Sequence, residues 1–287
     1  MRNIDEHSIT DAVVARLGHG PQPRFNEVMA ALVAHLHDFV RDVNLTEAEW
    51  EQGIAFLTDT GHACSGQRQE FILLSDVLGV SMLTVALNHK RAAGATEATV
   101  FGPFHVDDAP RCEDGADIAR GAPGAPLFAR IEVVDLQERP IEGAEVGTWQ
   151  ADDDGLYDVQ RPELGAQRRA RGVFRTDAKG CMRFRSIVPT AYPVPTDGPV
   201  GRLLDAAGAH AWRPAHVHLR IRAEGHATLI THLFREPDRY LDSDVVFGVR
   251  SSLVARFEEH AAGSGPMAAQ VQGAYFTLEH RVVLAAA

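Results

Sequence analysis

Apolar residues in the first hundred positions recur at the three-and-four spacing of a helix. In residues 25–43, FNEVMAALVAHLHDFVRDV, Val28, Leu32, Leu36 and Phe39 share one face with His35 at its border, and the spacing predicts an amphipathic helix. The following LTEAEWEQGIAFLTDTG predicts a second helix: Thr46 and Glu49 stand at capping-box distance, and Gly61 marks a C-terminal stop. Residues 71–87, FILLSDVLGVSMLTVAL, predict a third, buried helix. Beyond FGPFHVDDAP the pattern changes to short β-rich runs cut by Pro, Gly and Asp, as in PLFARIEVVD, HVHLRIRA, ATLITHLF and AYFTLEHRVVL. In GVFRTDAKGCMRFRSI the DAKG tetrapeptide reads as a hairpin loop, and ADDDGLYDV places Tyr157 on a strand after a turn. The expected fold is mainly β with an α-helical N-terminal region: helices over 1–100, then an antiparallel β-sandwich core over 101–287 that carries the chemistry.

Composition narrows the class. The chain has 287 residues, 45% of them hydrophobic, which suffices for a sizeable core. A net charge of -11 argues against nucleic acid or an anionic membrane surface as a partner. The most apolar stretch is marginal as a membrane span, and its Asp76 alone costs about 2.5–3.5 kcal/mol at a bilayer centre. The first twenty residues lack a continuous apolar run, and the 3 cysteines show no C-x-x-C spacing, so a reducing cytoplasm is the expected location.

Candidate chemistry begins at WRPAHVHLRI. Residues i and i+2 of a strand point to one face, so His216 and His218 present their imidazoles side by side. Two imidazoles suit many metals, and taken alone the pair is more often just two positions of a sheet face; zinc with a third carboxylate ligand is one way to complete it. Of the 4 tyrosines, Tyr157 follows a turn and Tyr192 sits in the proline-rich IVPTAYPVPTDGPVG. Each alone reads as a buried phenol bonded to backbone. Two phenols with two imidazoles are a different set, because hard anionic phenolate oxygens favour a hard ion such as ferric iron over zinc or cuprous copper.

GPFHV, ADDDGLYDV, PTAYPVPTDGPVG and WRPAHVHLRI, in this order and at these separations, resemble the intradiol ring-cleaving dioxygenases over nearly the whole chain; TVFGPFHV and SDVVFGV are most similar to the hydroxyquinol-cleaving branch. The resemblance implies one Fe(3+) per subunit held by Tyr157, Tyr192, His216 and His218, with Tyr192 released as a base when a catecholic diol chelates the metal. It implies cleavage of the ring between the two hydroxylated carbons by O2, with hydroxyquinol (benzene-1,2,4-triol) giving 3-hydroxy-cis,cis-muconate, the tautomer of maleylacetate. Arg213 matches the active-site arginine that stabilises charge developing on the ring. His232 in LITHLF stands where many catechol-cleaving relatives carry glutamine, and its protonation bears on the pH profile. Leu73, Asp76, Val100, Phe101, Gly102 and Phe104 match substrate-pocket positions. Asp76 is either the partner of a third ring hydroxyl or bonded to a neighbouring group of the protein. A homodimer through the N-terminal helices, with a lipid along the interface, is implied as well.

Three rivals remain at this level. A transthyretin-like carrier sandwich has no use for Tyr192, Arg213 and the histidine pair together; a zinc hydrolase would be colourless; a catechol or chlorocatechol dioxygenase of the same family differs only in ring substituents.

Overall fold

The structure, a computed structural model, describes residues 3–66, 68–90 and 92–287. They form two compact units, one up to Asp59 and one from Thr60 to Ala287.

In the first unit, α1 (Ile9–Leu17) packs on α2 (Pro23–Asp42). Arg41 reaches across to the Thr10 hydroxyl at 2.6 Å and the Glu6 carbonyl at 2.9 Å. The predicted apolar face of α2 forms and stays exposed: Phe25, Val28, Leu32, Leu36 and Phe39 are all open, and only Val33 of this helix is buried. α3 (Glu47–Ala63) starts with the expected capping box, the Thr46 amide and hydroxyl donating to Glu49 at 2.9 and 2.8 Å. Gly61 does not stop it; the helix runs one turn-half further, to Ala63.

In the second unit the helix expected over 71–87 is two helices, α4 (Glu70–Val77) and α5 (Val80–Asn88), bent by 77°. Gly79 makes the break, with a φ of +71° that a residue without Cβ adopts at little cost. Among the described residues no single helix is long and apolar enough to cross a membrane.

The remainder is dominated by an eight-stranded sheet. Its strands are β1 (Pro126–Asp135), β2 (Glu145–Gln150), β3 (Arg171–Arg175), β4 (Cys181–Ile187), β7 (His216–Arg222), β8 (Leu229–Glu236), β9 (Val254–His260) and β10 (Tyr275–Leu284), in the spatial order β3-β2-β7-β8-β9-β10-β1-β4. A separate two-stranded pair, β5 (Tyr192–Pro193) with β6 (Trp212–Arg213), lies outside it, as does the short helix α6 (Pro199–Ala206).

The β-rich body and N-terminal helices follow the expectation, but the sheet is mixed and curled, where an antiparallel sandwich was expected. β1 pairs β10 in parallel and β8 pairs β9 in parallel. β9 opens beside β8 and continues antiparallel to β10, so one strand joins what would otherwise be two sheets. Alternation reveals which face of a strand is apolar and is silent about which neighbour it meets, and in which direction. The DAKG segment is likewise a tight turn, with Asp177 accepting from the Lys179 and Cys181 amides at 2.9 Å each. It makes no hairpin, because β3 and β4 lie at opposite ends of the sheet order.

One apolar core serves the whole sheet, drawing Leu127 and Ile131 from β1, Val146 from β2, Phe184 from β4, Val217, Leu219 and Ile221 from β7, Leu233 from β8 and Leu278 from β10. Each such side chain contributes about 1.5–3 kcal/mol by leaving water.

Candidate metal and substrate site

The residues of β7 that turn away from the core build the site. Val217, Leu219 and Ile221 face the core, so His216 and His218 face the other side, each only 1% exposed. Register places a row across three strands: Trp149 of β2 opposite His218, and His218 opposite His232 of β8. The Trp149 indole stacks on the His218 ring at 4.7 Å, and the His232 ring lies 4.1 Å from it on the other side.

Both tyrosines arrive from outside the eight-stranded sheet. Tyr157 is on no strand. It follows a turn in which Asp152 accepts from the Asp154 and Leu156 amides at 3.1 Å each, and it opens a 3-10 turn over Asp158–Gln160. The Gln160 side chain accepts from the Tyr157 amide at 3.0 Å, Phe104 stacks on its ring at 4.4 Å, and a buried Arg171–Asp158 ion pair fixes the next residue. Tyr192 is held by the β5–β6 bridge, in which it sits directly opposite Arg213.

These elements bring the four predicted donors to one point. The Tyr157 oxygen lies 2.9 Å from His218 Nε2, 3.4 Å from His216 Nε2 and 3.3 Å from the Tyr192 oxygen. The Tyr192 oxygen is 3.5 Å from His216 Nε2, and the two imidazole nitrogens are 3.2 Å apart. Donors bound to one ion at about 2.0–2.2 Å and roughly 90–110° apart are themselves about 2.8–3.6 Å apart. His216 shares its Nδ1 proton with the Pro214 carbonyl at 2.7 Å, which leaves Nε2 as a bare lone pair facing another nitrogen. Two phenol oxygens and two imidazole nitrogens, buried and brought to these separations, match the donor types and spacing of a metal site, and the residues therefore fit a metal ion. His232 adds a third imidazole within 4.8 Å. Its Nδ1 meets the Thr99 hydroxyl at 2.5 Å, while its Nε2 is buried without a partner.

Burial sets the charge states. It pushes His216 down to about 3, with the Arg213 charge adding to the effect, and holds His218 and His232 well below the usual imidazole range. All three rings are thus neutral, the ligand form. Burial also raises the Tyr157 phenol, and the neighbouring Tyr192 raises it further, so a phenolate here needs a cation beside it.

Above the donors lies a cavity of about 300 Å³. Leu73, Asp76, Val100, Gly102 and Phe104 line it, with Tyr192 and Arg213 in its floor and Arg68, Glu70 and Asp197 around it. Phe101 is not among the lining residues; it packs on His105 at 4.4 Å and edge-on to Trp149 at 5.8 Å, behind the site. Asp76 is 6% exposed and its carboxyl is raised by burial, partly offset by a hydrogen bond from Ser81 and the Arg213 charge. Sequence reasoning missed Trp149, Thr99 and Asp244, the buried carboxylate that holds Arg213. A Trp in an alternating strand reads as ordinary core, and only Asp244 carried a signal, as an acid in the otherwise apolar DVVFGV run.

Residues 100–279 match the family described as Dioxygenase, and residues 22–96 match Catechol dioxygenase N terminus. The chain belongs to the intradiol dioxygenases. Similar members of the family include the 6-chlorohydroxyquinol 1,2-dioxygenase of Cupriavidus pinatubonensis, 54% identical over 92% of this chain and 95% of that protein. The hydroxyquinol 1,2-dioxygenase of Nocardioides simplex is 47% identical over 98% of this chain and 96% of its own length. Among solved structures, hydroxyquinol 1,2-dioxygenase from Pseudomonas putida DLL-E4 superposes with a TM-score of 0.89 at 47% identity, covering 98% of this chain and 99% of that one. Membership in this enzyme family, together with the converging donors, removes the transthyretin-like carrier and the zinc hydrolase from contention.

Proposed function

We propose that the chain is an Fe(III)-dependent intradiol dioxygenase that opens hydroxyquinol between its two adjacent hydroxylated carbons, giving 3-hydroxy-cis,cis-muconate. The observation that carries the reading is the convergence of two phenol oxygens and two imidazole nitrogens at 2.9–3.5 Å beneath a ring-sized cavity. Tyr157, Tyr192, His216 and His218 would hold the metal, and the hard phenolate oxygens select the ferric state. Ferric iron held by these residues would supply Lewis acidity toward the diol and withdraw electron density from its ring.

The chain's own residues do the rest. Tyr192, at the cavity floor, is placed to accept a diol proton at its phenol oxygen, while Tyr157, fully buried under Phe104, stays as a permanent donor. The Arg213 guanidinium faces the same floor and offsets negative charge as it develops. His232 Nε2, the unpartnered buried nitrogen, is available to hydrogen-bond an oxygen at the reacting centre.

For the ring substituent the reading rests on Asp76. It reaches the cavity, and the third hydroxyl of hydroxyquinol supplies the donor that an acid in an apolar wall needs, whereas catechol leaves it with Ser81 alone. The name of the Cupriavidus relative favours a ring-chlorinated hydroxyquinol as a second substrate. The exposed apolar face of α2 supports the further reading that residues 1–100 are a dimerisation region with a lipid on that face.

Purified, iron-loaded protein incubated with hydroxyquinol under 18O2 tests the activity. The account expects a ring-opened diacid carrying two labelled oxygens, and a kcat/KM for catechol at least about tenfold lower. A preference for catechol would refute the substrate assignment, and no ring opening of either would refute the reaction class.

A further inference from the structure

Arg213 is the charged group of the cavity floor, and its orientation is not left to itself. Asp244, 5% exposed, grips one edge of the guanidinium: Nε donates to Oδ1 at 3.1 Å and Nη2 to Oδ2 at 3.3 Å. The same two oxygens each take a backbone amide, Val246 N–H to Oδ1 at 3.3 Å and Gly248 N–H to Oδ2 at 3.0 Å. Four donors therefore fix the carboxylate, and the carboxylate fixes the arginine edge-on. Asp244 leaves Nη1 untouched, and that nitrogen lies 3.4 Å from His216 Nε2, on the side of the donor cluster.

The loop is built for this grip at a visible cost. Phe247, bearing a side chain that is 57% exposed, adopts a left-handed φ of 58° as its amide closes the turn onto the Asp244 carbonyl at 2.9 Å. Gly248 sits so close that a Cβ there would stand 3.1 Å from Asp244 Oδ2 and 3.2 Å from Arg213 Nη2. A strained turn and a glycine whose Cβ would crowd the ion pair both serve one contact. Because Arg213 pairs with Tyr192 across β5–β6, the contact also reaches the strand that presents the labile phenol.

We infer that Asp244 is the positioning residue of the reaction, acting through Arg213: it holds Nη1 toward the charge that develops on the ring and takes no part in binding the metal or the diol. This role rests on the dioxygenase reading above. It is distinct from a merely structural ion pair because it predicts a loss in turnover without a matching loss in affinity.

The test is a double-mutant cycle with Asp244→Asn and Arg213→Gln, read both as kcat and as the affinity for hydroxyquinol titrated without oxygen. Asp244→Asn is expected to lower kcat about 30-fold, as a misplaced charge does, with anaerobic affinity within about threefold and iron content and resting colour unchanged. In the Arg213→Gln background the same change is expected to cost less than about threefold more, since the group it positions is gone. Gly248→Ala keeps every charge and displaces the pair by a few tenths of an ångström; it is expected to reproduce the kcat loss at about tenfold, and it decides the question if Asp244→Asn does not fold. Additive losses in the cycle, or equal losses in kcat and affinity, would overturn the positioning role. Wild-type protein that opens neither hydroxyquinol nor catechol would instead overturn the functional reading, and this inference with it.

Discussion

The two faces of β7 follow opposite rules. On one, Val217, Leu219 and Ile221 are completely buried among aliphatic and aromatic neighbours, and every contact is the sort that stabilises a fold. On the other, one residue away along the same backbone, His216 and His218 are equally dry, yet nitrogen faces nitrogen, His218 Nδ1 has no partner, and neither does His232 Nε2 across the strand. Buried polar atoms without partners cost stability, so a fold keeps them where something outside the chain completes them. The core face specifies the structure; the site face spends some of that stability on a geometry.

Substitutions on the two faces should therefore separate chemistry from stability. His218→Ala, on the site face, is expected to abolish ring opening and weaken metal binding by more than about 100-fold, since even indirect partners of a ligand are worth 10–100-fold. Metal analysis of the purified variant checks it, and stoichiometric iron with near-normal activity would break the comparison. Leu219→Ala, on the core face one residue away, is expected to cost about 2–5 kcal/mol in denaturant unfolding while the surviving folded protein keeps its iron and its colour.

Of the two faces of β7, the site face is the one that adds acid sensitivity to the metal-free protein. Its histidines stay neutral when folded, with His216 depressed to about 3 and His218 and His232 well below normal, whereas in the unfolded chain they take up protons near pH 6.5. The unfolded state binds more protons throughout that window, so stability is full above about pH 6.5 and is lost as the pH falls toward 3. Unfolding of metal-free protein at a series of pH values checks this, and His232→Leu should flatten the dependence while Leu219→Ala shifts it without changing its slope.

Smaller effects test the cavity. Asp76→Ala is expected to lower kcat/KM for hydroxyquinol about tenfold more than for catechol, the worth of one hydrogen bond to a buried acid; equal losses would remove Asp76 from substrate choice. Phe101→Ala, behind the site and outside the lining, should change kcat/KM for either diol by less than about threefold, and a large loss would mean that the lining is drawn wrongly.

Much of this was readable in the sequence for an identifiable reason. His216 and His218 announce a shared face through the period of two, and α2 announces its stripe through the period of three and four, because both signals are local. Tyr157 and Tyr192 lie outside the eight-stranded sheet, in segments whose geometry depends on distant partners such as Arg171 and Arg213, so their convergence came from the resemblance of four motifs and not from spacing. Strand direction, the break at Gly79 and the failure of the DAKG turn to form a hairpin were illegible, since each is settled by what the chain meets far along its length. Asp244 is the instructive miss: an acid 31 residues from Arg213, whose purpose exists only after folding.

The most direct test of the central claim is the visible absorption spectrum of the iron-loaded protein before and after anaerobic addition of hydroxyquinol. The account predicts a broad phenolate-to-ferric band in the blue-green that moves to longer wavelength as the diol chelates. A protein that stays colourless after ferric loading would mean that the four converging donors do not hold ferric iron, and the proposed chemistry would fall with them.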